Sequence, residues 1–186
     1  MTGEPTDCEW ARQRLLADFP LVNGHPDVAG VLRQPDLLAL LGPALAQPFR
    51  GNGVTKVMAP EARGPIFGAL VAAELGAGLV LVRKEGRNHP GADIRLDSQP
   101  NWRGEPEHFQ ARSFDLVDND VVLIVDDWLS TGSTVDALVA VIEQAGATLA
   151  GVAAMVDKAD AATRRRLRPH TLVDFATLVG DTTVVD

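Results

Sequence analysis

Two adjacent carboxylates followed by a run of small hydroxyl residues make "VVLIVDDWLSTGST" (121–134) the stretch of this chain best suited to chemistry. Asp126 and Asp127 end an apolar run that reads as a buried strand. Ser130, Thr131, Gly132, Ser133 and Thr134 follow, where a helical pattern begins. Backbone N–H groups at a helix N-terminus, with hydroxyls beside them, make a cradle for a monophosphate. A bare phosphate site would avoid the two acids. Acids placed ahead of the phosphate accept hydrogen bonds from a diol or face a magnesium ion. A ribose 5-phosphate meets both demands, with its phosphate at 130–134 and its hydroxyls at Asp126 and Asp127. A P-loop would need a lysine that is absent here, and a dinucleotide fingerprint would place its acid after the loop rather than before it. On the residues alone, an ordinary acidic turn with Ser130 or Thr131 as a helix cap fits the same letters.

A second set of residues suits a second anion. "PEARGPIFGAL" (60–70) follows a short β-rich run and enters a helix, repeating the strand–loop–helix order. "VRKEGRNHPG" (82–91) then places Arg83, Lys84 and Arg87 close together. The other basic cluster, "TRRRLR" (163–168), reads as a solvated helix face on an acidic protein.

The elements that must hold these residues follow an alternating order. Strands are predicted at 54–59, 79–83, 121–126, 149–156 and 171–178, and helices at 34–45, 64–78, 133–146 and 160–168. Pro65 suits the first turn of its helix and Gly76 its C-terminal cap. Continuous apolar strands separated by helices predict a parallel sheet covered on both faces, an α/β fold. In such sheets ligands bind beyond the carboxyl ends of the strands, where Asp126 and Asp127 fall. The first 50 residues read as an irregular lead-in plus one helix. Residues 85–120 are polar, rich in Gly and Pro and nearly aperiodic, which reads as a functional loop or flexible hairpin.

The 186 residues amount to one domain with room for a real core. A net charge of −8 argues against general nucleic-acid or anionic-membrane binding. The single cysteine, Cys8, excludes an internal disulfide and reads as a bystander thiol in a loose N-terminal segment. The start lacks the basic and apolar regions of a signal peptide, and "LLALLGPALA" (37–46) is too short to span a bilayer, so a cytoplasmic protein is expected.

"VVLIVDDWLSTGST" closely resembles the phosphoribosyl pyrophosphate signature of the type I phosphoribosyltransferases. The order "TKVMAPEARG", "LVLVRKEGRNHPG" and "VVLIVDDWLSTGST" is similar to the adenine phosphoribosyltransferase branch, over roughly Phe19 to Asp157. The resemblance implies a type I phosphoribosyltransferase fold, with 1–50 forming a small N-terminal hood and 51–186 the core. It implies that Asp126 and Asp127 hold the ribose, and that 130–134 hold its phosphate. Glu61, Ala62 and Arg63 would form the diphosphate loop, with a non-proline cis peptide, and Lys84 and Arg87 would face the same diphosphate. Magnesium would accompany phosphoribosyl pyrophosphate, the acceptor would be a nucleobase such as adenine, and the protein would be a homodimer.

Two places depart from the family pattern. The family's lid carries an acid beside a tyrosine, and this chain has no tyrosine. In "PNWRGEPEHF" (100–109), Trp102 stands as the aromatic and Glu105 or Glu107 as the acid. In the hood, "NGHP" (23–26) is not the usual base-contacting sequence, and His25 either meets the base or caps a turn. Trp128 either packs by the base or fills the core. These departures leave a second reading open: a regulator that senses phosphoribosyl pyrophosphate or a nucleotide through the same fold without catalysis.

Overall fold

A computed structural model describes residues 6–99 and 105–180. The chain begins with α1 (Asp7–Asp18), which the lead-in reading missed. Its start is fixed by a capping box: the Thr6 hydroxyl accepts from the Glu9 N–H (3.3 Å), and the Glu9 carboxylate accepts from the Thr6 N–H (2.7 Å). Ala11 and Leu15 are buried, and the Cys8 N–H donates to Gln47 Oε1 at 3.0 Å, so this segment is docked rather than loose.

A two-residue turn at Asn23–Gly24 joins β1 (Leu21–Val22) and β2 (His25–Pro26). Both turn residues have positive φ, the backbone that short hairpins require. Then come α2 (Val28–Leu32), α3 (Pro35–Ala46), β3 (Lys56–Pro60), α4 (Gly64–Leu75) and β4 (Gly78–Lys84). An arm follows, built from β5 (Ile94–Asp97) and β6 (His108–Ala111), two strands inside the segment read as aperiodic. The chain continues with β7 (Val121–Leu129), α5 (Ser133–Gln144), β8 (Thr148–Asp157), α6 (Ala161–Leu167), β9 (His170–Asp174) and α7 (Phe175–Val179).

The strand expected at 171–178 stops at Asp174. That side chain accepts from the Ala176 N–H at 2.8 Å, capping α7 and turning the rest of the run into helix.

Seven strands form one sheet in the order β5-β6-β4-β3-β7-β8-β9. The five from β4 to β9 run parallel, and the arm adds an antiparallel edge. Adjacent strand residues face opposite layers, which explains the continuous apolar runs. Val57, Leu123 and Val125 pack under α1, α3 and α4, whereas Met58, Val122 and Ile124 pack against α5 and the arm. Close approach of α4 depends on a glycine: a Cβ on Gly68 would lie 2.6 Å from the Ala59 Cβ.

Candidate active site

The neighbouring strands β3 and β7 both end at the same edge, so the loops at 61–63 and 130–132 open side by side. Gly64, the first residue of α4, faces the acids. A Cβ there would lie 3.0 Å from Asp126 Oδ1, so no larger residue fits without displacing that carboxyl. The peptide between Glu61 and Ala62 is cis, as the resemblance implied.

The two acids differ. Asp127 is buried and pairs with the Arg63 Nε, which joins the first loop to the end of β7. Asp126 accepts from the Asp127 N–H at 2.8 Å. Burial, followed by the neighbouring Asp127 charge, pushes the Asp126 carboxyl well above the usual carboxylate range. The end of β7 therefore presents one acid paired with a cation and one whose carboxyl is held above its usual range. Their oxygens can accept hydrogen bonds from vicinal hydroxyls.

Behind them lies the loop expected to cradle a phosphate. Gly132 adopts φ +77° and caps α5, and Ser133 and Thr134 form its first turn. Thr131 Oγ1 donates to Ser133 Oγ at 2.9 Å and accepts from the Ser133 N–H at 3.3 Å, while Ser130 precedes this turn. The hydroxyls and first-turn N–H groups lie at the positive end of a 12-residue helix.

On the other flank, Glu61 works as a brace. It accepts from Arg83 Nε at 2.7 Å and from the Lys84 N–H at 3.0 Å, tying the 61–63 loop to the end of β4. Burial opposes its charge, but the hydrogen bonds from Arg83 and the Lys84 N–H outweigh it and hold the carboxyl below its usual range. Arg83 also donates to the Asn88 carbonyl, so it shapes the 84–88 turn. Lys84 Nζ lies 2.5 Å from Glu107 Oε1 on the approach to β6. A cleft of about 460 Å³ opens beside this pair, lined by Lys84, Glu85, Gly86, Glu107 and His108. Across the arm, a hydrogen bond donated to the Asp97 carboxylate holds the His108 imidazole above its usual range.

Asp126, Asp127, 130–134, Glu61, Ala62 and Arg63 thus meet at the ends of β3 and β7, and Lys84 stands at the end of neighbouring β4. Arg87 is exposed in the next turn, and its charge still acts on Glu61. Glu105 is exposed on the approach to β6, whereas Trp102 falls outside the described residues. His25 is exposed on β2, and Trp128 packs on the core and on the Phe175 ring (centroids 5.5 Å apart).

The basic run on α6 is not a solvated face throughout. Arg164 Nε lies 2.8 Å from Asp157 and its Nη2 lies 2.5 Å from Asp174, clamping the ends of β8 and β9. Arg166 pairs with Asp136 in the first turn of α5. No periodicity marks these partners, because each acid comes from a different segment.

Residues 28–177 match the phosphoribosyl transferase domain family. The chain belongs to that family. It is a phosphoribosyltransferase, and its mixed, mostly parallel sheet is that of the type I fold. Adenine phosphoribosyltransferase of Streptomyces coelicolor is 38% identical over 165 residues, covering 88% of this chain and 89% of the relative. The crystal structure of the Rhodothermus marinus adenine phosphoribosyltransferase superposes with a TM-score of 0.75 at 29% identity, covering 89% of this chain and 99% of that one. The Giardia lamblia enzyme, crystallised with 9-deazaadenine, superposes with a TM-score of 0.70 at 26% identity over 80% of this chain and 84% of its own.

Proposed function

We propose that this phosphoribosyltransferase moves the 5-phosphoribosyl group from magnesium phosphoribosyl pyrophosphate to adenine, giving AMP and pyrophosphate. The observation that carries this reading is the Arg63–Asp127 contact. It holds a loop with a cation against two acids that are followed by a hydroxyl-rich helix start, which suits a ligand with a ribose between a diphosphate and a phosphate. Adenine as acceptor rests on the named activity of the relatives.

In this reading the C1–oxygen bond to the diphosphate breaks as the base nitrogen attacks, and positive charge builds on the ribose ring. Arg63, Lys84 and Arg87 neutralise the departing diphosphate. Asp126 and Asp127 orient the ribose hydroxyls, residues 130–134 anchor the phosphate, and the arm with Glu105 and Glu107 excludes water. Among the described residues no group of three or more His, Cys, Asp or Glu side chains converges as a metal site. Asp126 and Asp127 would be the side chains to face a magnesium ion brought with the substrate, which would supply charge neutralisation to the leaving diphosphate.

The test is pyrophosphate release from magnesium phosphoribosyl pyrophosphate with adenine, hypoxanthine, guanine, xanthine, uracil or orotate. Release with adenine alone is expected. Release with another base alone replaces the acceptor, and silence with every base alongside tight substrate binding replaces the enzyme with a sensor.

A homodimer belongs to the same proposal. Leu79 and Leu81 project from one face of β4 and remain 37% exposed, and Ile66 of adjacent α4 is 43% exposed, an apolar strip that a second copy would cover. Sedimentation should give a dimer for the natural chain and a monomer for Leu81→Glu. A monomeric natural chain would end this part of the proposal.

A further inference from the structure

The geometry points to Arg166 as an additional ligand of the 5′-phosphate, held ready on Asp136 until the phosphate arrives. This rests on the phosphate cradle described above and adds to it a residue from a different element.

Helix α6 lies against the cradle. Its Asp160 cap accepts from the Thr163 N–H at 2.7 Å, and Thr163 Oγ1 donates to the Thr131 carbonyl at 3.4 Å. Thr163, Arg166 and Leu167 share one helical face by their three- and four-residue spacing. That face meets the loop at its glycine. A Cβ on Gly132 would lie 2.9 Å from Leu167 Cδ1, 3.1 Å from Arg166 Nη2 and 3.1 Å from Thr163 Cγ2. Arg164 keeps the helix in place through Asp157 and Asp174. A guanidinium nitrogen is thus packed on the residue whose backbone heads the cradle.

The charges supply the reason. Residues 130–134 offer only neutral donors, hydroxyls and backbone N–H groups. Asp136, in the first turn of α5, puts a negative charge near the incoming dianion. Arg166 cancels that charge in the free protein, and both side chains are about half exposed, so the pair can open. A guanidinium carries five N–H donors in a fixed fork, enough to turn one edge to phosphate while keeping contact with Asp136.

Titrations of ribose 5-phosphate and of pyrophosphate, run separately, test this on the natural chain and on Arg166→Gln, Arg165→Gln and Asp136→Asn. Loss of one charge-assisted contact should weaken ribose 5-phosphate about tenfold in Arg166→Gln. Pyrophosphate binding and melting temperature should stay as in the natural chain, and Arg165→Gln should bind both ligands normally. Asp136→Asn should bind ribose 5-phosphate at least as tightly, since it removes a like charge and leaves Arg166 in place. Unchanged ribose 5-phosphate affinity in Arg166→Gln overturns the assignment. Equal weakening in Asp136→Asn also overturns it, because the pair would then only shape the loop. If the natural chain binds pyrophosphate but not ribose 5-phosphate, the cradle itself is wrong and the inference falls with it.

Discussion

Replacing Arg63 with glutamine is expected to lower kcat/KM for phosphoribosyl pyrophosphate by about 100- to 1,000-fold, the range for losing one preorganised donor to developing charge. The guanidinium is half exposed, with room to reach a diphosphate, and its Nε is anchored on a carboxylate whose side chain is only 10% exposed. The substitution has a second effect. Asp127 would be left in a buried position without its cation, which costs about 2 kcal/mol once the exposure of Arg63 is discounted. For a chain of this size that lowers the melting temperature by roughly 4–8 °C. Adding Asp127→Asn to Arg63→Gln should restore most of the melting temperature and none of the rate. Thermal melts and steady-state kinetics on the single and double variants separate the two effects. Full activity in Arg63→Gln would remove Arg63 from the diphosphate site.

Gly132→Ala is expected to weaken ribose 5-phosphate binding at least tenfold, about 1.4 kcal/mol. At φ +77° a Cβ is strained, and it would also meet Leu167 Cδ1 at 2.9 Å. The left-handed backbone costs about 1–2 kcal/mol, and moving α6 aside displaces the loop that must hold the phosphate. Gly51→Ala is the matched control. It shares the conformation at φ +81° but meets nothing within 4 Å, so it should lose stability and keep affinity. If both variants bind ribose 5-phosphate equally well, the loop at 130–134 does not carry the phosphate.

The parts legible in the sequence are those written in contiguous residues. The run 121–134 states its strand, its acids and its helix start within one stretch, and "PEARGP" does the same for the neighbouring loop. Helix α1 left one local mark, since Thr6 and Glu9 have the spacing of a capping box, but its mostly polar turns hid the helix behind a weak apolar stripe. The strands of the arm, "IRLD" and "HFQA", are four residues each and carry too few alternations to show a period. At "TLVDFATL" the apolar letters continue through a helix cap, and only Asp174 marks the change. The ion pairs were out of reach for a different reason. Arg83 finds Glu61 across 22 positions, and Arg166 finds Asp136 across 30, distances that only the fold closes.

If Arg63 and Asp127 take the roles proposed above, the bridge between them would make the two halves of the substrate thermodynamically dependent on each other. On the proposed roles, a diphosphate that turned the whole guanidinium would part it from Asp127, and a ribose that took Asp127 would part it from Arg63, so each half alone would bear that separation. A ligand that carries both halves would bear it once. By reciprocity, whichever half bound first would raise affinity for the other by the same factor. Discrimination against substrate fragments would then reside in a single side-chain contact.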